Sequence, residues 1–167
     1  DWGQLVHRCM EFMLLPHVNT AVSQHKLIQL ASLYALDLAE DHQSLAVLSN
    51  SLSKCFADPI FQWIKQHASQ QSMIETTLIH KSQRLRVDCA FIDPKTKILW
   101  VIDFKTYKML EHIAHGQALS LPLHIEPGYL EQLQRYQTAY QSLGLASSVS
   151  CALYYPLTQS WLSVKTL

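Results

Sequence analysis

The sequence predicts an α/β (α+β) fold in which a mixed central β-sheet is flanked by helices and preceded by a helical cap. Two observations support this prediction. Apolar residues recur at helical spacing through the first part of the chain, up to about residue 68. Beyond it, short runs rich in Val, Ile, Phe and Trp are bounded by turn residues, which is typical of strands. We therefore expect one domain over residues 1–167, with helices over about 1–68 and an α/β core over about 69–167.

Four helices are expected in the first part of the chain. Three segments share apolar positions at helical spacing, and they cover about residues 2–14, 20–38 and 43–56. Pro16 ends the first of them. A short fourth helix is expected to start at Asp58 and Pro59, because aspartate is a good N-cap and proline fits the first helical position.

Five strands are expected, over about residues 73–80, 84–92, 98–105, 147–155 and 161–164. The second and third would form a hairpin. If four residues connect them, Asp93 pairs with Ile98, and counting outward places Asp88 opposite Asp103, with β-carbons about 4.5–5.5 Å apart. Lys105 then lies on the same face, because side chains alternate with period two.

Burial on both faces should fix this register. One face would carry an apolar set: Leu85, Val87, Cys89 and Phe91 against Trp100, Ile102 and Phe104. The carboxylates would share the other face with further apolar residues: Ala90, Ile92, Leu99 and Val101. A charge in such surroundings needs a partner or a metal. One Mg²⁺ ion, which binds oxygens at roughly 2.0–2.1 Å, can be held by both carboxylates. The alternative is a pair of ordinary solvent-facing aspartates with Lys105 as their salt-bridge partner.

Asp88 and the triplet Asp103, Phe104 and Lys105 resemble the signature of the PD-(D/E)XK nuclease superfamily, with Val87 where the name has Pro. Such a fold has a restriction-endonuclease-like core. The resemblance implies a metal-dependent nuclease that hydrolyses phosphodiester bonds in DNA. Because the triplet alone is common, the interpretation depends on further matches.

Three further segments resemble RecB-type nucleases. Gly3 and His7 match their G-x-x-x-H helix, in which the histidine is a metal ligand. Tyr129 to Tyr136 matches their Y-x-x-Q-L-x-x-Y helix, and residues 152–156 are similar to a strand in the nuclease tails of UvrD-like helicases of the AddA and RecB kind. The segments occur in the family's order and span nearly the whole chain.

The resemblance assigns roles to particular residues. It implies catalytic roles for Asp88, Asp103, Lys105, Gln132 and Tyr136. It implies Mg²⁺ or Mn²⁺ ligands at His7, Asp88, Asp103 and the Phe104 carbonyl. The implied protein is the exonuclease module of an ATP-dependent helicase-nuclease in double-strand break repair and recombination. Its partners would be DNA with single-stranded ends, and helicase domains of the same polypeptide or of a partner subunit. A first residue other than Met fits a piece of a longer chain.

Helical spacing gives physical reasons for some of these roles and leaves alternatives open. His7 shares a helix face with Gly3, whose missing side chain lets another backbone or a ligand approach where the imidazole points, although a surface or core histidine is the alternative. Gln132 and Tyr136 share another helix face, where they would hold water or a DNA phosphate. For Tyr136 the alternative is a core-facing stripe with Leu133, Ala139, Tyr140 and Leu143.

Cysteine spacing and charge bound the function further. Some relatives, of the AddB kind, hold an iron–sulfur cluster with four cysteines, but the four here form no C-x-x-C pair, so we expect buried free thiols and no cluster. Thirteen basic and thirteen acidic residues give no net charge, well short of a basic nucleic-acid footprint. A helicase partner would therefore deliver the strand.

No apolar stretch approaches the ~20 residues that span a bilayer, and there is no signal peptide, so we expect a cytoplasmic protein without a membrane partner. Residues 106–128 form a long connection that contains His112, His115 and His124. We expect a DNA-facing or interdomain flap there, and a zinc site is the alternative. The alternative to the nuclease as a whole is a non-catalytic DNA- or protein-binding module; a free-standing endonuclease is disfavoured.

Overall fold

A five-stranded mixed sheet forms the centre of the protein, with helices packed against it. The structure is a computed structural model that describes residues 1–71, 74–106 and 125–164, without the side chains of 74 and 75. The helices are α1 (Trp2–Leu14), α2 (Gln24–Ser32), α3 (His42–Ala57), α4 (Pro59–Gln71) and α5 (Pro127–Ser142). The strands are β1 (Ile74–His80), β2 (Gln83–Ile92), β3 (Ile98–Phe104), β4 (Ser148–Tyr155) and β5 (Ser160–Val164). Mixed helix and sheet content of this kind agrees with the predicted fold class.

The helix starts follow local capping. Asp1 caps α1, its carboxylate accepting from the Gly3 N–H at 2.8 Å. α2 is shorter than predicted, because the Ser23 hydroxyl accepts from the Lys26 N–H and starts the helix late. Ala35, with φ of 54°, then adopts a left-handed conformation that a continuing helix excludes. α4 runs for 13 residues and is longer than the short helix predicted.

The sheet order is β1-β2-β3-β4-β5, and each strand starts within one residue of its predicted position. β2 and β3 pair antiparallel from Cys89 opposite Ile102 to Ile92 opposite Leu99, which is the predicted register. β1 pairs antiparallel with β2, β4 pairs parallel with β3, and β5 pairs antiparallel with β4. The parallel step is reached by a connection that includes α5, so this helix lies against the sheet.

Two buried clusters lie on the two sides of the sheet. The cap-side cluster joins α1 to α4 with Cys89, Phe91, Ile102, Phe104 and Tyr154 of the strands. The α5-side cluster joins α5 with Val87, Ala90, Leu99, Val101 and Leu153. The sheet therefore separates a helical layer built from the first part of the chain from a second layer built on α5.

One predicted face is wrong for the first half of β2. Leu85 and Val87 were expected on the face of Cys89, but both pack in the α5-side cluster, whereas Cys89 lies in the cap-side cluster. β3 pairs with β2 only from Cys89 onward, so the earlier residues are held by β1 alone and can turn relative to the rest of the sheet. Asp88 lies at the point where the facing of the strand changes.

Polar contacts tie the helical layer together and to the sheet. The Lys65 ammonium donates to the carbonyls of Met13 and Leu15 at the end of α1, at 2.7 and 2.6 Å. The Tyr154 hydroxyl on β4 donates to the Asp58 carboxylate at 2.7 Å. Within the described ranges, no helix is both long enough and apolar enough to cross a bilayer.

Candidate active site

The two predicted carboxylates line one cavity at the end of the β2–β3 pair. Asp88 and Asp103 are the next residues outward from the paired Cys89 and Ile102. They line a cavity of about 420 Å³ together with other predicted site residues, namely His7, Gln132 and Tyr136. Asp103 is only 5% exposed, so its carboxylate faces the cavity from a nearly buried position. The structure therefore brings together residues from α1, β2, β3 and α5.

Asp88 is held by a side chain from α1 and by the backbone of β3. Its Oδ2 atom accepts a 2.6 Å hydrogen bond from the Phe104 N–H. The same atom lies 3.4 Å from His7 Nε2. His7 Nδ1 lies 2.9 Å from the Gly3 carbonyl oxygen, which orients the ring when Nδ1 carries a proton.

Gly3 permits a close approach between α1 and the end of β3. A β-carbon at this position would lie 3.3 Å from the Thr106 hydroxyl, which follows Lys105 in the chain. The group that approaches here is the side chain of Thr106, whereas another backbone or a ligand was expected.

Lys105 lies between Asp103 and α5. Its ammonium lies 2.5 Å from Asp103 Oδ2 and donates to Gln132 Oε1 at 3.0 Å. The ammonium also lies 4.5 Å from the centre of the Tyr129 ring, in a cation–π contact. Three partners from two elements therefore fix one cation beside the carboxylate pair.

Gln132 and Tyr136 continue this hydrogen-bonded chain to the backbone of β2. Gln132 Nε2 donates to the Tyr136 hydroxyl at 2.7 Å, and that hydroxyl donates to the Arg86 carbonyl at 2.7 Å. The Tyr136 ring lies in the α5-side cluster with Leu133 and Tyr140. Both interpretations of Tyr136 are therefore correct in part, since its ring packs in the core and its hydroxyl belongs to the site.

The protonation of the site is far from that of free side chains. Burial, and then the neighbouring Asp88 charge, raise the pKa of Asp103 to about 7. Burial disfavours the His7 imidazolium, but the hydrogen bond and charge of Asp88 outweigh it and raise the pKa of His7 to about 9. Burial likewise opposes ionisation of Asp88, yet His7 and the Phe104 N–H hold its pKa below the usual value. Ionising both carboxylates at once is therefore costly without added positive charge.

The donor set suits a hard divalent cation. Among the described residues, no hydrogen-bond donor is aligned with the buried Oδ2 atom of Asp103, although Lys105 is close to it. Carboxylate oxygens and an imidazole are ligands that Mg²⁺ and Mn²⁺ accept. In the described part of the chain, however, no three His, Cys, Asp or Glu side chains stand ready to hold an ion. Binding would require His7 to lose its proton, because only a neutral imidazole ligates a metal. It would also require Asp88 and Asp103 to open their pairs with His7 and Lys105, and the Phe104 carbonyl remains a predicted ligand.

Among the described residues, five that were not predicted as site residues also line the cavity: Gln4, Arg8, Glu11, Tyr34 and Arg86. Glu11 pairs with Arg8 on its own helix and lies 3.6 Å from Arg86 Nη2 on β2. The sequence signal for Glu11 is its position one helical turn after His7, which places both on one face of α1. The pairing also gives Arg86 an acidic partner on α1.

The four cysteines, Cys9, Cys55, Cys89 and Cys151, are all buried and free, as predicted. Burial raises the pKa of Cys9 to about 12, so the thiol stays protonated.

The predicted flap with His112, His115 and His124 lies outside the described residues. A comparison with protein-family models and with curated proteins finds no match for this chain.

Proposed function

We propose that this protein is a metal-dependent DNA exonuclease of the PD-(D/E)XK type, similar to the nuclease module of a RecB- or AddA-like helicase-nuclease. One observation carries the proposal: Asp88 and Asp103 meet His7 in one cavity although they come from three separate elements, and Lys105 pairs with Asp103. The proposed chemistry is hydrolysis of phosphodiester bonds at DNA ends, in double-strand break repair and recombination. The finer fold assignment, a restriction-endonuclease-like core, is part of this proposal.

Asp88, Asp103, His7 and the Phe104 carbonyl would hold Mg²⁺ or Mn²⁺. When bound, such an ion lowers the pKa of its water and neutralises charge on the phosphate. The raised pKa of Asp103 supports this assignment, because a buried carboxylate pair that resists full ionisation gains most from a divalent cation.

The remaining residues would position charge around the phosphate. The Lys105 ammonium keeps its contacts with Gln132 and Tyr129 when Asp103 turns to a metal, and it is placed to stabilise negative charge that develops during hydrolysis. Gln132 is held by the Tyr136 hydroxyl, which is itself tied to the β2 backbone. These contacts keep the Lys105 ammonium oriented before substrate arrives, so little reorganisation of this group is needed during the reaction.

A second candidate is a non-catalytic DNA- or protein-binding module with the same fold. It is favoured by the pairing of Asp88 with His7 and of Asp103 with Lys105, which satisfies much of the charge without a metal. The nuclease is the better proposal because one cavity gathers both carboxylates with His7, Gln132 and Tyr136, and a purely structural module has no need to keep this set together.

The proposal is tested by incubating end-labelled single-stranded and duplex DNA with the protein, with Mg²⁺ and with EDTA. We expect Mg²⁺-dependent degradation, and we expect Asp103→Ala to lower its rate at least about 10³-fold, because several kcal/mol of charge stabilisation are lost. Asp93→Ala, in the turn of the same hairpin, is the matched control and should retain the rate. Circular dichroism checks that both variants fold. Full activity of Asp103→Ala, or equal activity in EDTA, would refute the assignment.

A further inference from the structure

A groove leads away from the candidate active site, between the β1–β2 hairpin and α5. Next to the site lies a cavity of about 520 Å³, which shares Arg86, Gln132 and Tyr136 with the site's own cavity. Beyond it lies another of about 440 Å³, which shares Leu85 and Arg135 with the second. We call these two outer cavities the hairpin groove. The shared lining residues make it continuous with the site.

The hairpin groove is basic although the chain has no net charge. Four exposed basic residues line it: Lys81, Arg84, Arg86 and Arg135. Arg86 also pairs with Glu11 of α1. Among the described lining residues the acidic ones are Glu126 and Glu131, so the other three basic side chains outnumber them. A local excess of this kind complements a phosphate backbone, because each neutralised phosphate releases bound counterions.

The size and lining of the groove fit one unpaired strand. Tyr129, half-buried at the end near the site, provides an aromatic ring, and an unpaired base can stack on such a ring whereas a paired base cannot. From Tyr129 to Thr138, helix α5 rises about 14 Å at ~1.5 Å per residue, the length of a few nucleotides. This is far short of the surface that a duplex would need for its two backbones.

We propose that the hairpin groove binds a single strand of DNA next to the phosphate that is cleaved, with Arg84 and Arg135 contacting phosphates and Tyr129 contacting a base. The role of this strand as substrate rests on the proposed nuclease function. Binding itself does not, because it requires neither a metal nor cleavage. The neutral overall charge had led us to expect that a helicase partner delivers the strand. In this proposal the basic groove makes contacts with the strand itself.

The experiment is fluorescence anisotropy with a labelled oligothymidine of twelve nucleotides, in EDTA, at several salt concentrations. For each of Arg84→Ala and Arg135→Ala we expect about tenfold weaker binding, because a charge-assisted contact to phosphate is lost. The slope of log K against log salt should fall by about 0.7 for each variant. Lys95→Ala and Lys97→Ala remove the same charge at the β2–β3 turn and should leave both quantities unchanged.

The outcomes separate this proposal from the nuclease proposal. If the two arginine variants bind as tightly as the lysine controls, the proposal that the groove binds DNA is wrong, even if the protein cleaves DNA. An unlabelled duplex that competes as well as the single strand would overturn the single-strand assignment. Arginine-dependent binding by a protein that never cleaves would support the groove and refute the nuclease. Thermal unfolding confirms that the variants fold, which is expected because both arginines are exposed.

Discussion

The two ends of the β2–β3 hairpin each bury an aspartate, but the pKa of the carboxyl group shifts in opposite directions at the two ends. At the turn, Asp93 is 8% exposed and its carboxylate accepts from the Lys95 N–H at 3.0 Å and from the Thr96 hydroxyl at 2.9 Å. These bonds, the backbone one first, hold the pKa of Asp93 below its usual value. Both of these hydrogen-bond donors are sequence neighbours of Asp93 in the turn.

At the open end, Asp103 is 5% exposed and its pKa is raised to about 7. Its neighbourhood is completed by His7 and Gln132, which come from α1 and α5. The surroundings of Asp93 at the turn favour its ionised form. Those of Asp103 at the open end disfavour its ionised form. Strain of this second kind is typical of a functional site.

The largest expected effect concerns the cations at the two ends. Lys105→Met should lower the rate of DNA hydrolysis about 10²-fold at saturating substrate, because a fixed positive charge beside the phosphate is lost. Lys97→Met, at the turn, should leave the rate unchanged. Steady-state kinetics on a labelled single strand measures both. A loss smaller than threefold for Lys105→Met would show that the ammonium only neutralises Asp103.

A smaller effect concerns the pH dependence of stability without metal. A folded-state pKa raised from 6.5 to about 9 means that the His7–Asp88 pair stabilises the protein fully below pH 6.5, and that this contribution disappears as the pH rises through 9. His7→Gln should therefore lower the free energy of unfolding near pH 6, by no more than about 1 kcal/mol because the pair is partly exposed.

Urea denaturation in EDTA at pH 6, 8 and 10 measures this difference between wild type and His7→Gln. The difference should fade towards pH 10, and it should be absent when both proteins also carry Asp88→Asn. A difference that grows with pH would show that the histidine is neutral in the folded state and does not pair with Asp88.

The smallest effect is expected at the turn. Asp93→Asn removes a charged acceptor from the bonds to Lys95 and Thr96, so we expect a small fall in melting temperature at pH 7. Because Asp93 lies at the other end of the hairpin, hydrolysis of DNA should not change. Differential scanning calorimetry and the nuclease assay measure the two quantities. Loss of hydrolysis in a folded Asp93→Asn protein would contradict the division between the two ends.

Much of the fold could be predicted from local patterns. Apolar spacing and Pro16 gave the bounds of α1, and the four-residue connection gave the register of β2 with β3. The end of α2 at Ser32 could not be predicted in this way, since apolar spacing continues to Leu38 while the backbone turns at Ala35. The sequence also did not predict that Val87 packs on the α5 side of the sheet, because this depends on how far β3 pairs along β2.

The site was less accessible to such reasoning. The opposition of Asp88 and Asp103 follows from the hairpin register, but the partners His7 and Gln132 lie far away in the sequence, and only the resemblance to RecB-type nucleases indicated them. Glu11 was missed although it is one turn from His7 on α1. Periodicity places residues on a face, whereas contacts between elements depend on tertiary packing.

Calorimetric titration with Mn²⁺ decides whether the open end of the hairpin is a metal site. The wild type and Asp93→Asn should bind with the same affinity and stoichiometry, and Asp88→Asn should give no binding heat. At a concentration 100 times Kd, Mn²⁺ should raise the free energy of unfolding of the first two proteins by about 2.7 kcal/mol. Equal Mn²⁺ binding by Asp88→Asn, or none by the wild type, would contradict a divalent-cation site between Asp88 and Asp103.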